Sequence, residues 1–535
     1  MRTVRDAAFD VMRQHGMTTV FANPGSTEVP LLTGFPDDLR FVLALHEGSV
    51  VGAATGWAIV REQPALVLLH TTAGLGNAVG ALATARVNRA PLVVLVGQQD
   101  RRHLVQEPFL AGRLEGLAGD YPVRVETPAR AQDVPGAIGR AAHAARVRRG
   151  PALVIVPMND WAEPADDVPD PSPAALRTAT GADPAAVREV AALLAGATAP
   201  ALVVGAGADH ADTWSALTDL AERLGCPVRQ EPFGARAGFP QDHPLFAGHL
   251  PADRARLRTV LAPHDVVLAV GAPLLRQYPY QDGPLARPGT RMALVTDDPA
   301  EAERAPAELA VVAPLPAFCA ALAEQTPKRA GQPYGGPETA GRPTPPPSDA
   351  DGPLRGADVL AALADALPAD AVLVEETPSS RPELHALVPA RRPLGFLSAA
   401  MGGLGFAIPA AAGVRMGAPE RPVVAVVGDG SSLYQIQALW TAAHYGVGIL
   451  VIVLANSGYA VMDRLAELHG GAAPWPPFEE VSVSGLATAL GCPARRVTDR
   501  GTLRRELGAL LPSLGELTEP LVLEVAVAPD PVFQP

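Results

Sequence analysis

Pro422-Val-Val-Ala-Val-Val-Gly-Asp-Gly-Ser-Ser432 is the stretch on which the fold of this chain turns. The apolar run Pro422–Val427 ends on Gly428-Asp429-Gly430, and a second run, Ile449–Leu454, leads to Asn456. Continuous apolar runs bounded by glycine and polar residues read as strands buried on both faces. A strand–helix–strand unit then delivers Asp429 and Asn456 to the C-terminal ends of two parallel strands. A hard cation and a phosphate fit between two such oxygen-bearing side chains. Gly428 and Gly430 let the backbone turn tightly beside a phosphate. Ser431 and Ser432 predict the start of a helix with Leu433, Ile436, Trp440 and Ala443 on its apolar face. Its N-terminus would face the anion, and Gly446 suits its end. The tripeptide alone is equally compatible with an ordinary turn.

The same strand–helix alternation extends outward. Thr18–Phe21, Phe41–Leu45, Ala65–Leu69 and Leu92–Val96 read as strands, Asn23-Pro24-Gly25-Ser26 as a turn, and Gly48–Val60 as a helix of small residues. Ala201–Ala208, Asp265–Val270 and Arg291–Thr296 continue the pattern. Repeated βαβ units predict an α/β protein with three doubly wound parallel-sheet domains. The expected boundaries are 1–168, 183–324 and 354–535, with a Pro/Gly-rich linker at 325–353. Gly205-Ala206-Gly207 hints at a nucleotide loop, but no ribose-binding acid accompanies it.

Bulk properties narrow the function. A chain of 535 residues exceeds one hydrophobic core. Its net charge of −13, without a basic tail, argues against nucleic-acid and anionic-membrane partners. No apolar run is long enough to span a bilayer, and Met1–Arg5 opens no signal peptide. Cys226, Cys319 and Cys492 lack ligand spacing and suggest reduced thiols in a cytoplasmic protein.

Glu47 changes the weight of the opening motif. It follows an apolar strand and opens a small-residue helix, in a different α/β unit from Asp429. Alone, it could merely complement a helix dipole. The further motifs are Asn23-Pro24-Gly25-Ser26, Leu43-Ala44-Leu45-His46-Glu47, His70 with Ala73-Gly74-Leu75-Gly76-Asn77, and Gly97-Gln98-Gln99. They continue in Gly402-Gly403-Leu404-Gly405-Phe406 and in Gly428-Asp429-Gly430-Ser431 through Ala438-Leu439-Trp440-Thr441-Ala442-Ala443. Over nearly its whole length the chain thus resembles the thiamine-diphosphate (ThDP)-dependent 2-oxo acid decarboxylase superfamily, most of all benzoylformate decarboxylase.

The resemblance implies a set of roles. Glu47 would activate the aminopyrimidine. Asp429, Asn456 and the Gly458 carbonyl would hold Mg²⁺. Gly428, Gly430, Ser431 and Tyr459 would lie near the diphosphate. Leu404 would bend the cofactor, and the Gly402 carbonyl would accept from its 4′-amino group. Ser26 would bind the substrate carboxylate, and His70 would shuttle protons. The Glu47 domain of one subunit would face the Asp429 domain of another, so that a homodimer is the minimal active unit, often doubled to a homotetramer. Read from the residues alone, His70 also suits a satisfied structural histidine, Ser26 a cap for a helix beginning at Thr27, and His46 a structural role.

The chain also departs from that pattern. Tyr278 falls where benzoylformate decarboxylase has a second active-site histidine, flanked by Gln277 and Tyr280. A phenol titrating near 10 is a poor proton shuttle at neutral pH. Ala455 precedes Asn456 where a second asparagine is frequent, and Leu465 lies near an aromatic pocket position. Phe109, Leu110, Tyr278, Met462 and Leu465 suggest a pocket for an apolar or aromatic substituent. The resemblance implies decarboxylation of a 2-oxo acid to an aldehyde through an enamine. The alternatives are carboligation to a 2-hydroxy ketone and a non-catalytic ThDP-binding homologue.

Overall fold

The computed structural model describes residues 2–167, 173, 175–329 and 352–529. Three six-stranded sheets organise them. The first holds β1 (Thr19–Asn23), β2 (Arg40–Leu43), β3 (Ala65–His70), β4 (Leu92–Gln98), β5 (Arg124–Glu126) and β6 (Pro151–Pro157), in the order β2-β1-β3-β4-β6-β5. The second holds β7 (Pro200–Val204), β8 (Val228–Gln230), β9 (Phe246–His249), β10 (Val266–Val270), β11 (Arg291–Thr296) and β12 (Leu309–Val312), in the order β12-β11-β10-β7-β8-β9. The third holds β13 (Val372–Glu376), β14 (Phe396–Ser398), β15 (Val423–Gly428), β16 (Leu450–Ala455), β17 (Ala494–Val497) and β18 (Leu521–Ala526), in the order β14-β13-β15-β16-β18-β17. The sheets are parallel, as the continuous Val/Ile/Leu runs demand, and strands such as β4, β6, β10 and β15 are buried almost end to end. The linker expected at 325–353 lies mostly outside the described residues.

The chain falls into two compact units, Met1–Thr178 with Val374–Ser379 and Ala399–Pro535, and Ala179–Leu373 with Ser380–Ser398. In the first unit, the Glu47–Arg61 helix is buried along nearly its whole length against the Ala407–Gly417 helix. Their small residues are a steric requirement. A Cβ on Gly56 would come within 2.1 Å of the Ala410 carbonyl oxygen, and one on Gly413 within 1.9 Å of that of Ala53. In the second unit, Gly207 donates its N–H to the Gly271 carbonyl at 2.8 Å, and a Cβ there would meet Gly271 Cα at 2.9 Å. The Gly205-Ala206-Gly207 glycines therefore serve close packing of two strand-end turns.

Two local expectations need correction. The helix predicted from Ser431 is two short pieces, Asp429–Ser432 and Ala438–His444, separated by turns. The Ser432 hydroxyl donates to the Asp429 carbonyl at 2.6 Å. Such back-bonding competes with continued helix. The buried face is consequently Ala438, Leu439, Thr441 and Ala442, and the predicted stripe of Leu433, Ile436, Trp440 and Ala443 is only half-buried. Gly446 does follow the second piece with φ +61. Ser26 caps no helix: the next one runs over Val29–Leu32, with Glu28 at its N-cap position.

Candidate active site

The first half of the site is built at the C-terminal ends of β1 and β3. Glu47 is the first residue of its helix and is 8 % exposed. His46 supplies the cap, its Nδ1 accepting the Gly48 N–H at 3.0 Å. The Asn23 amide donates to Glu47 Oε1 at 3.3 Å, and the Asn77 amide to Oε2 at 3.1 Å. Two neutral donors thus fix the carboxylate, which has no ion-pair partner among the described residues. Lone pairs remain on both oxygens for a further donor.

His70 closes β3 beside this carboxylate's anchors. Its Nδ1 lies 2.9 Å from Thr27 Oγ1 and 3.1 Å from Glu28 Oε2. Glu28 is buried, accepts the Gly25 N–H at 2.7 Å on Oε2 and receives the Thr27 hydroxyl on Oε1. Thr27 has one proton, and Glu28 takes it. Nδ1 must therefore be the protonated nitrogen of neutral His70, which leaves Nε2 for a reacting partner. The imidazole lies directly over Gly25, where a Cβ would come within 2.4 Å of the ring. Ser26, the next residue, is exposed.

The second half gathers at the ends of β15 and β16. Gly428 pairs with Leu454 across these strands, so Asp429 and Asn456 leave the sheet side by side. Asp429 Oδ1 accepts the Gly430 N–H at 2.8 Å, and Oδ2 the Ser457 N–H at 2.6 Å. Asn456 Oδ1 accepts the Gly458 N–H at 3.1 Å. Burial raises the Asp429 carboxyl above its ordinary range, against the pull of these N–H groups. Gly430 is needed for a reason absent from the sequence: a Cβ there would meet the Tyr459 ring at 2.6 Å. That ring packs edge-on against Phe478, with centroids 5.2 Å apart.

The Gly402–Phe406 loop completes this half. Gly402 has φ +70 and open space where a Cβ would stand, and Leu404 is partly exposed. Glu376, at the end of β13, accepts the N–H groups of Gly405, Phe406 and Ala407 at 2.7, 2.7 and 2.8 Å. Gln435 links the two halves within the chain, its Oε1 accepting the Ser49 hydroxyl at 2.8 Å.

Of the remaining expected pocket residues, Phe109 is 88 % exposed, and Leu110 beside it has φ +67. Met462 and Leu465 lie on the Ala460–Leu468 helix, which buries no residue. Tyr278 belongs to the second compact unit and is 58 % exposed. Sequence reasoning missed Thr27, Glu28, Glu376 and Gln435. Only the acid two residues beyond Ser26 offered a signal.

These groups fit a metal–diphosphate cofactor. Asp429 is a buried carboxyl with no ion-pair partner among the described residues, and a cation would relieve its desolvation. One carboxylate, one amide and a carbonyl leave octahedral positions for phosphate and water oxygens. Among the described residues, nothing beyond their chain neighbours comes within 4 Å of a Cβ position at Gly402 or Gly458, so their surroundings are open.

Three family models match the chain in order: the N-terminal TPP binding domain of thiamine pyrophosphate enzymes over residues 2–113, their central domain over 187–322, and their C-terminal TPP binding domain over 379–525. The chain belongs to the thiamine pyrophosphate enzyme family. It is 37% identical over 527 residues to benzoylformate decarboxylase of Pseudomonas aeruginosa, covering 97% of this chain and 99% of that protein. It is 28% identical to the acetolactate synthase large subunit of Parasynechococcus marenigrum, covering 95% and 85% of the two chains. Among solved structures, the ThDP-dependent 4-hydroxybenzoylformate decarboxylase of Rhodococcus jostii superposes with a TM-score of 0.92 at 34% identity, covering 99% and 100%. Benzoylformate decarboxylase of Polynucleobacter necessarius gives 0.93 at 32%, covering both chains fully. This family member is a ThDP-dependent lyase. Among its described residues no helix is long and apolar enough to cross a membrane.

Proposed function

We propose that the protein decarboxylates a 2-oxo acid with an apolar or aromatic substituent, benzoylformate-like, to the corresponding aldehyde. The observation that carries this reading is His70, held at Nδ1 by Thr27 and Glu28 with Ser26 exposed beside it. Bound ThDP supplies an electron sink for the pair left when the carboxylate departs as CO₂. Glu47 holds the aminopyrimidine by a hydrogen bond, in the orientation that Asn23 and Asn77 impose. Asp429, Asn456 and the Gly458 carbonyl hold Mg²⁺, with Gly428, Gly430, Ser431 and Tyr459 around the diphosphate. Leu404 and the Gly402 carbonyl orient the cofactor. Ser26 donates to the substrate carboxylate, and His70, with its Nδ1–H held by Glu28, takes a solvent proton on Nε2 and delivers it to the product carbon. Phe109, Leu110, Met462 and Leu465 line the substituent's pocket.

We assign the cofactor-binding domains to 1–168 and 354–535 and the middle domain to 183–324. We further propose a cytoplasmic homotetramer built from homodimers, with no nucleic-acid or membrane partner. Light scattering of the purified protein tests the assembly. Incubation with ThDP, Mg²⁺ and a panel of aromatic and aliphatic 2-oxo acids tests the activity, and absence of CO₂ from the whole panel would reject it.

A second reading, carboligation to a 2-hydroxy ketone, is favoured by Tyr278 and by similarity to acetolactate synthase. Slow protonation would give a second carbonyl compound time to react. The Tyr278→His variant should then shift products towards free aldehyde. An unchanged product ratio counts against this reading.

A further inference from the structure

We propose that Glu376 is a positioning residue that holds the Gly402–Phe406 loop in its cofactor-ready shape. The inference rests on the assignment of Gly402 and Leu404 to the cofactor. Glu376 is 5 % exposed and spends both oxygens on this loop. Oε1 takes the Gly405 N–H, and Oε2 takes those of Phe406 and Ala407. The Ala407–Gly417 helix has no capping side chain from its own N-cap residue, Phe406. A carboxylate from another strand performs that task.

The loop is pinned from its other side too. Gly405 has φ +85, a conformation that disfavours any side chain. A Cβ there would meet Gln435 Cγ at 2.5 Å and Tyr434 Cβ at 3.0 Å. Gln435 in turn accepts from Ser49, two residues beyond Glu47. Gly405 is thus gripped by Glu376 through its N–H and by Gln435 through packing. Upstream, the loop is held at Gly402, whose N–H donates to the Ala399 carbonyl at 3.0 Å, and at Gly403, which packs on Thr84. Leu404, 37 % exposed, sits between these points and Gly405, so the Gly405 clamp fixes the downstream end of the segment that places it.

Glu376→Gln separates these roles. A carboxamide oxygen still accepts from Phe406 and Ala407, but its NH₂ then faces the Gly405 N–H, donor against donor. The expected result in the full-length apo chain is at least about tenfold faster amide exchange at Gly405, with the sheet core unchanged. ThDP dissociation measured calorimetrically with Mg²⁺ should weaken about tenfold. The turnover number should fall by a similar factor while the KM for the 2-oxo acid holds, because the substrate's own contacts are untouched. Glu376→Asp retains the charge and should recover part of both effects. Unchanged Gly405 exchange, or faster exchange with unaltered ThDP affinity and turnover, would overturn the proposal. If the Gln variant does not fold, an Asp variant that folds with unaltered ThDP affinity and turnover would overturn it equally. Leu404→Ala checks the underlying assignment separately: cofactor affinity and turnover equal to the parent's would reject Leu404's role, whatever Glu376→Gln does to Gly405 exchange.

Discussion

Glu28 Oε2 lies 3.1 Å from His70 Nδ1, and the carboxylate is buried beneath the backbone of Gly25. This relationship fixes the ring orientation and the Nδ1 proton of the proposed proton donor. Glu28→Gln removes the carboxylate that accepts from Nδ1 and supports the charge of a ring protonated on both nitrogens. Turnover is expected to fall about 10²-fold, since the doubly protonated ring is the general acid, while the fold stays intact. Steady-state kinetics with benzoylformate, beside a circular dichroism check of folding, measures this.

Glu47→Gln removes the carboxylate but keeps its shape and its contact with Asn23. ThDP should still bind, because the metal–diphosphate half is untouched. Exchange of the cofactor's C2 proton and turnover should each fall by about 10²-fold or more. Calorimetry and proton exchange followed by NMR test the two halves independently.

Gly430→Ala drives a methyl group into Tyr459, whose ring atoms stand 2.6 and 3.1 Å from the Cβ position. Overpacking of this kind costs about 1–3 kcal/mol. The apo chain should unfold at lower denaturant concentration, and Mg²⁺-dependent ThDP binding should weaken as Tyr459 is displaced. A chemical denaturation curve and calorimetry read the two effects.

Stability should depend on pH through buried groups of opposite sense. Burial raises the carboxyls of Glu231 and Glu376 from 4.5 to about 7. The folded chain therefore binds more protons than the unfolded one across that window, and these groups remove stability as pH rises through it. Burial lowers the stacked imidazoles of His249 and His385, the latter to about 3. Their contribution is complete above the ordinary histidine value of 6.5 and is lost as pH falls towards the folded values. Glu231→Gln removes one of the raised carboxyls. The slope of unfolding free energy between pH 5 and 7 should become more positive by up to about 1.4 kcal/mol per pH unit. Denaturant titrations at several pH values measure it.

The strands were readable because fully buried parallel strands leave continuous Val, Ile and Leu runs, as at Arg291–Thr296, where β11 matches the expected limits. The helix after Asp429 was misread because a 3.6-residue pattern was followed across a break that Ser432 and the turn at Gln435 impose. Glu47, Asp429 and Asn456 stood out because each follows closely on an apolar strand and stands next to glycine or small residues. Glu28 and Glu376 did not, because what defines them is distant: His70 is 42 residues away, and the Gly405–Ala407 amides are 29 to 31 residues away. Side-chain acceptors for such distant N–H donors leave no pattern in the sequence around the acid.

The central claim is decarboxylation with a solvent-derived proton placed on the product carbon. Turnover of benzoylformate in D₂O, with ThDP and Mg²⁺, tests it most directly when CO₂ and aldehyde are quantified together. The account predicts one equivalent of aldehyde per CO₂, with deuterium at the formyl carbon, and loss of both products in Glu47→Gln. CO₂ release that yields only a 2-hydroxy ketone, or no CO₂ at all, would contradict it.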